Sequence, residues 1–182
     1  MQVKDFFSSS AKLADLTSLR RRRVIQISAV TGFGLFASSL GARGITFDIF
    51  LLGLFSLIVT GSLAYKYYVT TSSYLLLGAM SSMLFALSAT GAGVFDIAMI
   101  GYPGVIIFAA LLGGIALFGT VLSLVLLQCI TLTWLIMHDV VTPNPPILSW
   151  SHVLFIMVIY VITGFSVFIL IQDIRRLMQS LQ

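Results

Sequence analysis

The hydrophobic and polar positions divide the chain into long apolar tracts separated by very short polar breaks. A helix needs about 20 apolar residues to cross roughly 30 Å of hydrocarbon. Six segments meet or approach that length, over residues 24–40, 47–65, 67–90, 97–113, 115–137 and 151–171. The first is the weakest, being rich in Ser, Gly and Thr, and the turn between the second and third holds only Lys66. From Val105 to Met137 the apolar tract runs unbroken for 33 residues. As one helix it would extend ~50 Å, well past a membrane. It must therefore fold back, and Gly113-Gly114 is the break the sequence offers. The fourth span then has to begin near Ile97, which draws Gly101-Tyr102-Pro103-Gly104 into the membrane zone.

Composition agrees with that pattern. Of 182 residues, 59% are hydrophobic and 9% are charged, against about 25% charged in a soluble domain. Mean hydropathy is +1.09. The small net charge of +4, with basic residues mostly in two clusters, excludes a nucleic-acid-binding or disordered chain. A single cysteine excludes a disulfide framework and a multi-thiolate metal site. The expected fold is an all-α integral membrane protein, a bundle of six transmembrane helices.

Charge gives the orientation. With the N-terminus inside, nine of the ten basic residues fall on the cytoplasmic side and only Arg43 lies outside, in agreement with the positive-inside rule. The six Asp residues divide evenly, leaving +6 inside and −2 outside, and there is no Glu. Both termini are expected in the cytoplasm. Leu40-Gly41-Ala42 superficially resembles a signal cleavage site. However, the apolar run is long for a signal peptide and 23 residues precede it, so the first span is read as retained.

The extramembrane ends are short. Residues 1–23 form a basic segment in which Val3, Phe6, Leu13 and Leu16 fall near one face of a helix leading into Arg20–Arg23. It reads either as an interfacial helix on anionic headgroups or as a tail carrying a topology signal. Residues 172–182 extend the last span without a Gly or Pro stop, and Ile174, Leu177 or Met178, and Leu181 repeat at coiled-coil spacing. That extension reads as an output helix able to pair in a homodimer, or as an amphipathic tail on the membrane.

Motifs for chemistry are lacking. Gly32-Phe33-Gly34 with Ala37 imitates a dinucleotide fingerprint, but it lies inside a span and follows no strand. His138 and His152 are 14 residues apart and form no zinc motif, and Cys129 sits mid-span among Leu and Val as a packing residue. No Lys, Arg, Glu or His lies near a span centre, where Gln26 and Gln128 are the strongest polar side chains. A pump or channel is therefore poorly supported. The chain is expected to be no enzyme and to use no cofactor or metal.

The remaining ionisable and aromatic residues gather at the outer edge. The sharper reading is a ligand pocket between helices, drawing on Asp48, Asp96, Tyr102, Pro103, His138, Asp139, Trp150 and His152. The plainer reading makes these residues helix caps and interfacial anchors. For helix packing, Gly78, Ser82, Ala86 and Thr90 recur every four residues, and Ala109/Gly113 and Ala110/Gly114 do likewise. Such small-residue ridges admit a neighbouring helix closely. The loop from His138 to Trp150 carries Pro143, Pro145 and Pro146 and is expected to be stiff and extended.

The run Phe95-Asp96-Ile97 to Tyr102-Pro103 is followed by an apolar helix to Gly113, a second apolar helix, a Pro-containing loop and a last span ending in Arg-rich sequence. This order resembles the N-terminal multi-span membrane domains of bacterial sensor histidine kinases and related diguanylate cyclases. The likeness covers roughly residues 95–181. It implies a two-component-type input domain in a bacterial inner membrane, which detects a lipophilic or membrane-embedded cue and passes helix movement to a cytoplasmic module. The sequence departs from the pattern in having no basic residue in the Gly113-Gly114-Ile115 turn, and no kinase or cyclase domain follows within the 182 residues.

The leading expectation is therefore a membrane sensor or signal-input domain without catalysis of its own. Its partners would be the bilayer, a second copy through the last helix, and a lipophilic ligand. An alternative is a structural or assembly subunit of a larger membrane complex. A third is a transporter of a small lipophilic molecule.

Overall fold

A computed structural model of the chain describes residues 2–113, 115–142, 157–159, 161–163 and 167, with side chains from residue 18 onward. Five helices follow one another: α1 (Gln2–Ser39), α2 (Ile45–Tyr65), α3 (Val69–Thr90), α4 (Gly101–Leu112) and α5 (Ile115–Met137). Two 3-10 turns, Gly93–Phe95 and Ile97–Ile100, lie between α3 and α4. No strand occurs among the described residues, and those at 157–159, 161–163 and 167 are helical. Helices α2, α3 and α5 are long and apolar enough to cross a membrane, and Ile97–Leu112 is a shorter apolar helix. The described residues are thus all-helical, with three helices suited by length and composition to a membrane.

The long apolar tract breaks where expected. Helix α4 ends at Leu112, Gly113 is extended (φ −133°, ψ 173°) and α5 begins at Ile115. A Cβ on Gly113 would run into the Leu117 side chain, so this tight reversal accepts only glycine there. Two elements differ from the sequence expectation. The N-terminal segment and first span are one continuous helix, because nothing between Gln2 and Val30 is Gly or Pro and the arginines favour helix. Its 38 residues span ~57 Å. The fourth element, expected over 97–113, is a 3-10 turn running into a 12-residue helix. Pro103 occupies the first turn of α4, where its missing N–H is tolerated.

Helix α3 stands at the centre, touching α1, α2, α4, α5 and both 3-10 turns. Half of its apolar stretch is buried inside the protein, against 28% for α2 and 22% for α5. Helix α2 buries a single seam, Phe50, Gly53, Leu57, Thr60 and Ala64, at alternating three- and four-residue steps. Its other faces present Leu51, Leu52, Phe55 and Ile58 outward, as α5 presents Leu126, Leu127 and Ile130. Exposed apolar faces of this extent suit hydrocarbon, where burial in protein gains no hydrophobic free energy. Cohesion must come from close packing and polar pairs.

Both are present at α3. A Cβ on Gly53 would stand 2.8 Å from Met83 Sδ, and one on Gly101 would stand 2.8 Å from Leu84 Cδ2. The neighbours on either side thus leave glycine hollows for large α3 side chains. Midway along the helix Ser81 Oγ donates to Gln128 Oε1 of α5 at 2.6 Å. Ser72 and Ser73 donate to the Val69 carbonyl of their own helix, both at 2.9 Å, and so need no partner elsewhere.

The small-residue ridge expected on α3 lies off this buried face. Ser82 and Thr90 are exposed, Gly78 and Ala86 half-buried, and among the described residues nothing lies within 4 Å of a Cβ on Gly78. Filling volume against four neighbours uses the bulkier positions Leu76, Leu77, Met80, Met83 and Leu84 instead. In α4, Ala109 is wholly buried and Ala110 exposed, while Gly114 lies outside the described residues.

The Ser81–Gln128 pair predicts a measurable coupling. A double-mutant cycle of Ser81→Ala and Gln128→Leu, read by reversible unfolding in mixed micelles, should give about 0.6 kcal/mol and no more than roughly 1.7 kcal/mol. Strict additivity would mean that the bond contributes nothing to the bundle.

Candidate functional site

The two ends of the bundle are built from opposite chemistry. At one end the arginines of α1 meet the C-termini of α2 and α4. Arg21 Nη2 donates to the Tyr65 carbonyl at 3.0 Å, and its guanidinium lies 4.3 Å from the Tyr67 ring centroid and 5.3 Å from that of Tyr65. Tyr67 has φ 72°, a left-handed conformation costly for a bulky residue. The α2 terminus folds around it: Tyr67 N–H bonds the Ala64 carbonyl and Tyr68 N–H bonds the Leu63 carbonyl, a Schellman cap. Arg23 Nη1 donates to the Leu111 carbonyl at 3.1 Å, a cation placed on the C-terminal turn of α4. In sequence these arginines read as headgroup contacts or as a topology signal. They also tie three helices together.

At the other end the loop after α3 is organised by one carboxylate. Asp96 Oδ2 accepts the Ala92 N–H at 2.9 Å, and Oδ1 accepts the Ala98 N–H at 2.8 Å. The first bond draws the loop back on itself. The second caps the 3-10 turn that leads into α4. Gly91 makes room for this arrangement, because a Cβ there would collide with the Asp96 carboxylate.

Opposite this loop lies the α1–α2 turn. Gly41 and Ala42 N–H groups bond the Ser38 and Ser39 carbonyls at 3.3 and 3.2 Å. Gly44, at φ 59° and ψ −140°, turns the chain into α2 in a conformation reserved for glycine. Between the turn and the loop is a cavity of about 320 Å³, lined by Gly41, Ala42, Arg43, Thr46, Phe50, Leu87, Thr90, Gly91, Asp96 and Ile97. Arg43 and Thr46 are exposed and make no hydrogen bond or ion pair among the described residues, so Arg43 and Asp96 share the cavity without an ion pair between them. The Thr90 hydroxyl donates to the Ala86 carbonyl at 2.9 Å.

Of the described residues expected in sequence to form a ligand pocket, Asp96 alone lines this rim cavity; Thr90, expected as a helix-packing residue, lines it too. Tyr102 is buried in the helix core, and Pro103 is exposed on the first turn of α4. Asp48 is exposed beside a shallow apolar groove on α2 with Leu51, Leu52 and Phe55. His138 and Asp139 close α5. Asp139 has φ 56°, its N–H bonds the Ile136 carbonyl, and the Val140 N–H bonds the Leu135 carbonyl, a second Schellman cap. The His138 ring lies 4.6 Å from the Trp134 ring. Trp150 and His152 lie outside the described residues. Arg43, Thr46 and Gly91 were missed as site residues; a lone outer arginine in a Gly-rich turn was the available signal. The arrangement can hold a small ligand by charge, hydroxyl contact and an apolar wall. No family model, curated protein or solved structure matches the chain.

The collision at Gly91 gives a test. Gly91→Ala should destabilise the protein by about 1–3 kcal/mol, read as detergent thermal stability. Pairing it with Asp96→Ser, which shortens the colliding side chain, should cost clearly less than the sum of the single changes. Additive losses would mean that the two residues do not share the constraint.

Proposed function

We propose that this chain is a membrane sensor or signal-input module, without catalysis of its own, in which occupancy of the rim cavity displaces the last helix. The carrying observation is where the cavity lies. Its walls come from the turn joining α1 to α2, the first turns of α2, the last turn of α3 and the Asp96 loop, so an occupant bears on the mutual position of the helices those segments join. Helix α1 in turn lies directly on the last helical segment: a Cβ on Gly34 would stand 2.5 Å from Val158 Cγ1 and 3.5 Å from Ile162 Cδ1. In this reading six spans place both termini in the cytoplasm of a bacterial inner membrane, and the rim cavity opens outward, as nine of ten basic residues on the other side imply. An occupant shifts the equilibrium only by binding two helix arrangements unequally.

A second reading, an assembly subunit of a larger complex, draws on the small-residue face of α3 at Gly78, Ser82 and Ala86, which lies off the buried face and leaves a Cβ on Gly78 without a neighbour among the described residues. Stoichiometric partners after mild solubilisation would favour it.

The sensor reading predicts that filling the cavity imitates an occupant. Spin labels at Ser39 and Gln172 should report a distance change on the order of 1–2 Å in Thr90→Trp. Gly34→Leu, which wedges α1 away from Val158, should move the same pair. A distance distribution unchanged by the cavity-filling variant, while the wedge variant responds, would sink the sensor reading.

A further inference from the structure

Building on the rim cavity as the ligand site, we infer that its ligand is a zwitterion bearing a primary ammonium and a phosphate or carboxylate, of the ethanolamine-phosphate type. Two opposite charges, Arg43 and Asp96, line one cavity of about 320 Å³ with no ion pair between them. The Arg43 guanidinium offers its fork of donors, since no group among the described residues takes any of them. Asp96 accepts one N–H on each oxygen, and each oxygen keeps a second acceptor position. A simple anion on Arg43 would stand against the Asp96 carboxylate, and a simple cation on Asp96 would stand against Arg43. A neutral lipophile would strip water from both charges and return nothing. A zwitterion satisfies both, with its anion on the guanidinium fork and its ammonium donating to the open acceptor positions of the carboxylate. Phe50, Leu87 and Ile97 supply an apolar wall for the attached carbon chain. A quaternary ammonium has no proton to donate to Asp96, so the choline analogue is the weaker ligand.

The same chemistry is offered by a bilayer phospholipid headgroup and by a free water-soluble zwitterion, and the test separates them. Native mass spectrometry of the full chain in detergent would titrate dihexanoyl phosphatidylethanolamine, the matching glycerol and choline lipids, and acyl-free glycerophosphoethanolamine. The ethanolamine lipid should bind at least about tenfold more tightly than the glycerol or choline lipid. Arg43→Gln should weaken it by about the same factor while leaving thermal stability unchanged, because Arg43 holds no other group. Equal binding of the acyl-free compound identifies a soluble ligand, and preference for the acylated one identifies the bilayer lipid; both support the inference. Equal affinity for the glycerol lipid, or undiminished binding in Arg43→Gln, overturns it. If it is overturned while Thr90→Trp still moves the last helix, the sensor reading stands without this ligand. If ethanolamine binding holds while the labels stay still, the site stands and the sensor reading falls.

Discussion

Helix α3 holds this bundle together under a constraint that soluble proteins do not face. Its neighbours gain nothing by hiding apolar surface, since the surroundings are as apolar as they are. Contact has to be close to be worthwhile, because dispersion falls off within fractions of an ångström. The glycines at Gly53 and Gly101 provide that closeness by admitting Met83 and Leu84. One hydrogen bond, from Ser81 to Gln128, then fixes how α5 lies along α3. A handful of positions therefore carries the association of helices whose remaining faces are free to vary in apolar identity.

The ends of the bundle divide the work of closure by sign. Cationic side chains meet the carbonyls that α2 and α4 leave unpaired at their C-termini, and an anionic side chain meets the N–H groups at the start of the turn into α4. Arg21 and Arg23 are spent on structure at their end. Asp96 is only half spent, since each of its oxygens retains acceptor capacity, and Arg43 faces it uncommitted. That asymmetry is why we place the proposed ligand site at the rim and not at the arginine end.

Much of the architecture was legible in the sequence because hydropathy reports which segments avoid water. The break at Gly113-Gly114 followed from length alone, and α2, α3 and α5 begin within two residues of the expected spans. Which face of each helix turns inward was not legible. A helix apolar on every side has almost no amphipathic signal, so the ridge at Gly78, Ser82 and Ala86 looked like an interface while the buried seam lay elsewhere. At the rim, Asp96 could be picked out as an unusual charge. Its dependence on Gly91 and its facing of Arg43, 53 positions away in sequence, are three-dimensional facts. The double role of Arg21 and Arg23 was hidden because a topology signal and a helix cap use the same residue type.

The unbroken course of α1 has a mechanical consequence. Arg21, clamped to the α2–α3 turn, stands close to the midpoint of the 38-residue helix. About 27 Å of rod extends to either side of it. A rigid rod held near its middle behaves as a balanced lever. A tilt that carries the rim end one way carries the N-terminal end the opposite way by nearly the same distance. In the sensor reading, movement of the rim end would then be felt at the N-terminal end of the same rod, on the far side of the Arg21 clamp from the cavity.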